Sequence, residues 1–305
     1  MNHHVLPPLI TAVCTGLLCP GPLARARWAG QAPRLAVAAW GLLAATFTAA
    51  VALGALLLFL PYENVHRLGH HATACLAWSG QDCAAAAATM DRWALGAAIG
   101  VLALPTAAFC RELLHARRRR GRHAHGLRLI GRTDPGLRAT VIPHGAPAVY
   151  CLPGRDAQIV VTTGAMDILS TAQLAAALRH ERAHIAGRHH VVIGAVTGFG
   201  RVFRGLSLAR QATAQVPLLL EMAADDRALR HCAREVLATA LYSMASARVT
   251  DQSAFAAGGP SVALRITRIL DRRGVARPVL TGLLWMGSRA CVLVPVATAC
   301  CLILG

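Results

Sequence analysis

From Leu35 to Tyr62 the chain carries no charged side chain. A helix of that length can cross a bilayer with some tilt, and in water it would have to be buried on every side. Val5 to Leu23 and Trp93 to Cys110 are also uncharged, and Val279 to Gly305 carries only Arg289. Hydrophobic residues make up 55% of the chain and charged residues 15%, with the charges clustered between these stretches. That distribution favours an integral membrane protein over a soluble enzyme. Pro7, Pro8, Pro20 and Pro22 are expected to trim the first stretch. It lacks the basic start and small-residue cleavage site of a signal peptide, so a retained span is expected.

The formal net charge is +17, and every basic residue other than histidine is arginine. Arg25, Arg27 and Arg34 follow the first stretch, Arg111, Arg117, Arg118, Arg119, Arg120 and Arg122 follow the third, and Arg272, Arg273 and Arg277 precede the fourth. By the positive-inside rule these segments are cytoplasmic. The expected layout has three transmembrane helices within residues 1–110 (about 5–23, 35–62 and 93–110), with an outer loop over 63–92. A cytoplasmic domain over 111–278 and a last transmembrane helix over 279–305 complete it. The arginine run has no interleaved aromatics, so contact with anionic lipid is expected and direct nucleic-acid binding is not.

The ten cysteines form no C-x-x-C pair. Most lie in apolar segments, where cysteine packs as a small hydrophobe. Cys75 and Cys83 lie in the expected outer loop, where a disulfide between them is a candidate. His66, His70 and His71 have helical spacing but no carboxylate among them, which makes a poor case for a metal transporter.

The cytoplasmic domain opens with two β-rich runs, Ala148–Leu152 and Gln158–Thr162, joined by Pro153-Gly154-Arg155-Asp156. They read as a hairpin, one strand of which could pair with an extended peptide. Ser170-Thr171-Ala172-Gln173 is a capping box opening a helix. That helix carries His180-Glu181-Arg182-Ala183-His184, an H-E-x-x-H pentad. At this chain's histidine and glutamate frequencies the pentad would arise by accident in about one chain in a hundred. Residues four apart share a helix face, so both imidazoles can reach one ion, with Glu181 placed as a general base.

Val191 to Gly200 is apolar but short for a span, so a buried or membrane-skimming helix is expected there. The next helix is expected to begin near Pro217, and it carries Glu221 and Asp225 on one face. Two histidines need a third ligand. Glu221 is the best candidate, because Leu218, Leu219 and Leu220 make a poor solvated surface around it. Asp225 can brace a ligand imidazole.

Pro153-Gly154, Ile159–Thr163, Leu174, the pentad and the box Glu221-x-x-Ala224-Asp225-x-x-Ala228 together resemble the BlaR/MecR-type membrane metallopeptidases of metallopeptidase family 56. The resemblance covers roughly residues 148 to 230. It implies a mainly α, multi-span membrane protein whose α+β zincin-like cytoplasmic domain is a gluzincin. In it His180, His184 and Glu221 bind one Zn2+, Glu181 is the general base and Asp225 supports a ligand. It also implies a protein substrate, a winged-helix transcriptional repressor cleaved in signal transduction. The chain stops at Gly305, so no penicillin-binding sensor is expected. His189, His190, Arg230 and His231 are near enough in sequence to be nominated as oxyanion donors. Two alternatives stay open. One is a quality-control protease resembling the HtpX and prenyl-protein protease families, which place extra spans after the catalytic helix. The other is a catalytically inactive membrane signalling receptor.

Overall fold

The computed structural model describes residues 5–59, 92–154, 157–249 and 255–271. Among the described residues three helical stretches are long and apolar enough to cross a membrane: Leu6–Arg25, Pro33–Leu58 and Leu95–Leu127. The fourth expected span, the Cys75/Cys83 pair and His66, His70 and His71 lie outside the described residues.

The first stretch is helix α1 (Leu6–Val13), a π turn over Cys14–Leu18, and α2 (Pro20–Arg25). Its prolines do not trim it as expected. Pro7 and Pro8 occupy the first turn of α1, and Pro20 and Pro22 that of α2, where the missing N–H has no partner to lose. The π turn brings Gly16 so close to Phe47 that a Cβ would lie 2.9 Å from its ring. A short α3 (Arg27–Gln31) leads into α4 (Pro33–Phe59), which is uncharged beyond Arg34.

Helix α5 (Arg92–Ile130) passes through residue 110 without a break. Arginine, leucine and alanine are good helix formers, so the basic run continues the helix instead of opening a loop. Leu95, Ile99, Leu102 and Leu104 are exposed on its apolar part, a surface suited to lipid.

Four strands follow: β1 (Arg132–Asp134), β2 (Ala139–Ile142), β3 (Val149–Leu152) and β4 (Gln158–Thr162). Their order in the sheet is β1-β2-β4-β3. The expected hairpin is there, with β3 antiparallel to β4 in the register Val149↔Val161 to Leu152↔Gln158. β4 also pairs in parallel with β2, so its Val160 and Val161 are fully buried and β3 is left as an edge strand.

Helix α6 (Thr163–Ile168) precedes α7 (Thr171–Ala186), which begins with the reciprocal Ser170/Gln173 capping box. α8 (His189–Val202) packs along α5. Two glycines allow the approach: a Cβ on Gly198 would lie 2.7 Å from the Phe109 backbone nitrogen, and one on Gly194 3.1 Å from Leu113. Arg201 of α8 pairs with Glu112 of α5 at 2.6 Å.

The helix expected to start near Pro217 starts ten residues earlier, as α9 (Ser207–Ala228), with Pro217 inside it. The run Leu208 to Gln215 is rich in alanine and glutamine, which favour helix strongly enough to carry the backbone through one proline. Leu208, Val216, Leu219 and Leu220 of α9 share a core with Trp40 and Phe47 of α4 and Phe199 of α8. α10 (Arg234–Val249) and α11 (Phe255–Leu270) complete the described chain. Arg268 of α11 holds Asp226 of α9 at 2.7 and 2.9 Å and donates to the Gly30 carbonyl, tying α11 to α3 between the first two apolar stretches.

Candidate active site

His180 and His184 stand one turn apart on α7, with their Nε2 atoms 3.1 Å apart. Glu221 reaches them from α9: its Oε2 is 3.3 Å from His180 Nε2 and its Oε1 is 3.4 Å from His184 Nε2. One ligand atom from each residue lies within 4.8 Å of the other two. A tetrahedral zinc ion with bonds of about 2.0–2.1 Å needs ligand atoms roughly 3.3–3.4 Å apart. The three residues therefore fit zinc, with the fourth position left open.

Behind them lies a buried charged seam. Asp225 is fully buried, four residues beyond Glu221 on the same face of α9. Its Oδ1 is 3.0 Å from His180 Nδ1, although the ring is turned so that the pair misses good hydrogen-bond alignment. Arg265 of α11 donates to Asp225 through Nε at 2.8 Å and Nη2 at 2.7 Å, and its Nη1 is 2.9 Å from Glu221 Oε2. Two carboxylates can be packed here because one guanidinium satisfies both.

The charges shift accordingly. Burial opposes ionisation of Glu221, but hydrogen bonds from His180 and His184 and the charge of Arg265 outweigh it and hold the carboxyl far below its usual range. For Asp225 burial is again overcome, by Arg265 and then His180, and its pKa is lowered. Burial disfavours charging His180, yet Asp225 and Glu221 more than compensate and raise it to about 9 in the metal-free protein. Arg265 is raised because its two carboxylates outweigh desolvation.

Against His180 is a cleft of about 180 Å³ lined also by Val149 of β3, Glu181 of α7, Glu221, Met244, Val262 and Arg265. Glu181 thus lines the same cleft as His180 and Glu221. Cys151 of β3 is its neighbour. Burial first, and then the Glu181 carboxylate, push that thiol up to about 12, so it stays a neutral thiol.

The structure separates the nominated oxyanion donors from the cleft. His189 is buried behind His184, with its Nδ1 2.9 Å from His184 Nδ1. His190 is beside Arg120 and Arg188, and burial and those charges lower its pKa. Arg230 and His231 are exposed beyond the end of α9. The cation that does line the cleft, Arg265, was not singled out from sequence, and neither was Cys151. A signal for Arg265 existed. It falls on the apolar stripe of α11 with Val262, Ile266 and Ile269, where a cation demands a buried anion.

No curated protein and no solved structure gives a significant match to the chain. A family model does: Peptidase family M48 matches residues 117–273, just over half of the sequence and the whole of the seam from α7 to α11. The match supports a zinc metallopeptidase without confirming the BlaR/MecR type that the sequence boxes resemble. Both kinds of box rest on a pentad helix and a later glutamate, which mark the shared zinc chemistry better than the family. The chain belongs to peptidase family M48, whose members are zinc metalloproteases.

Proposed function

We propose that this protein is a membrane-embedded zinc endopeptidase that hydrolyses a cytoplasmic or membrane-proximal protein. The observation that carries this is the meeting of His180, His184 and Glu221 at zinc-ligand spacing, beside a cleft that Glu181 lines. Zinc held there supplies Lewis acidity, lowering the pKa of a water and polarising the substrate carbonyl. Glu181 takes a proton from the attacking water and returns it to the leaving amine as the C–N bond breaks. That β3 is an edge strand and its Val149 lines the cleft supports pairing with an extended substrate. Asp225 backs the His180 ring at Nδ1, and Arg265 holds Glu221 and Asp225.

The arginines on α5 and before the last apolar segment support a cytoplasmic active site. In its narrower form the proposal is regulatory, with a winged-helix repressor as substrate, resting on the E-x-x-A-D-x-x-A box. A second form, clearance of membrane proteins, draws on α8. This apolar helix directly follows the pentad helix and packs along α5, as in proteases with further membrane helices after the catalytic one. Its 14 residues reach about 21 Å, too short to cross a bilayer alone.

The test is Glu181→Gln in the full chain. Zinc content should be unchanged while hydrolysis of a membrane-proximal substrate falls by about 10²–10⁴-fold. Undiminished proteolysis would remove Glu181 from the chemistry.

A further inference from the structure

The two histidines of the pentad are braced in different ways. His180 has the Asp225 carboxylate at its Nδ1, a common support for a ligand imidazole. Among the described residues no carboxylate stands at the Nδ1 of His184; the partner there is the Nδ1 of a third imidazole, His189, at 2.9 Å. The two rings are nearly perpendicular, at 87°, with centroids 4.8 Å apart.

The backbone builds this contact. α7 ends at Gly187, and Arg188 takes a left-handed conformation at φ 49°, which turns the chain back so that α8 begins with His189 over the last turn of α7. Gly187 makes room for the ring: a Cβ there would lie 2.4 Å from His189 Nε2. His189 is fixed as the first residue of α8, whose Gly194 and Gly198 seat that helix on α5. A buried imidazole placed so closely against another must share one proton across the two nitrogens.

We infer that His189 is a positioning residue for the zinc ligand His184, accepting the His184 Nδ1–H and thereby presenting the His184 Nε2 lone pair to the metal. This rests on the proposal that His184 is a ligand. With Nε2 given to a metal, the neutral His184 ring carries its proton on Nδ1, so His189 Nδ1 is the acceptor and His189 keeps its own proton on Nε2. Because His189 is the first residue of the helix packed on α5, the orientation of one ligand is set from the apolar helices, whereas that of His180 is set from α9 and α11.

The experiment uses the full chain in detergent and measures zinc affinity by competition with a chelator, together with the absorption spectrum of the cobalt(II)-substituted protein. His189→Ala should weaken zinc binding by about 10–100-fold and alter the cobalt spectrum. His189→Asn, whose amide oxygen can accept the same proton, should recover most of the affinity and the wild-type spectrum. A His189→Ala protein with wild-type affinity and spectrum overturns the inference, and so does a His189→Asn protein no better than His189→Ala. A His184→Ala control separates the two levels. If it loses zinc while His189→Ala does not, only the positioning role fails; if it binds zinc as the wild type does, the proposed metal site itself fails.

Discussion

Helix α9 has two faces built on opposite principles. One packs Val216, Leu219 and Leu220 against Trp40, Phe47 and Phe199, an apolar layer closed by glycines and edge-on aromatic rings. The other carries Glu221 and Asp225 into a seam with His180 and Arg265. The apolar face is non-directional, so hydrophobic residues of similar volume can replace one another there at little cost. The charged seam depends on each partner, because removing one group strands another in a medium that cannot solvate it. The helices long and apolar enough to cross a membrane thus belong to the tolerant layer, and the chemistry to the intolerant one.

The largest expected effect is on the seam. Arg265→Ala leaves the fully buried Asp225 without its cation and should destabilise the protein by about 3–5 kcal/mol. Chemical denaturation of the solubilised chain reads this, and a loss below about 1 kcal/mol would show that the seam is not the brittle region. The double variant Arg265→Met, Asp225→Leu sharpens the contrast. It should regain most of the lost stability, since an apolar pair can replace a buried ion pair, while zinc affinity stays impaired because His180 and Glu221 have lost their supports. Restored zinc affinity in that variant would contradict the supporting roles given to both residues.

On the apolar side, Gly198→Ala should cost about 1–3 kcal/mol, because the new methyl meets the Phe109 backbone 2.7 Å away and backbone cannot step aside as a side chain can. If thermal unfolding is unchanged, α8 is not seated on α5 as described. Smallest is Ser170→Ala, which removes the cap that accepts from the Gln173 N–H at 3.3 Å and should cost about 1 kcal/mol without touching zinc affinity. A change in zinc affinity there would mean that the start of α7 is coupled to its ligands.

Much of the site was legible from spacing. The pentad, the capping box before it and the four-residue step from Glu221 to Asp225 are local patterns, and a helix turns local spacing into shared faces. The β3–β4 hairpin was legible for the same reason. The parallel insertion of β4 between β2 and β3 was not, because strand order is set by long-range pairing. Pro217 read as a helix start, yet the favourable residues before it carried α9 through. Arg265 escaped because its partners are 40 and 44 positions away in sequence and its own helix reads mainly as apolar. His189 was seen but misplaced. Adjacency to the pentad suggested the cleft, whereas the left-handed turn at Arg188 swings it behind His184.

Metal analysis of the purified full chain and of Glu221→Ala, after equilibration with zinc and removal of weakly bound ion, tests the central claim most directly. The account predicts one zinc per wild-type chain and a large loss in the variant. A Glu221→Ala protein that keeps one zinc per chain, or a folded wild-type protein that takes up none, would contradict it.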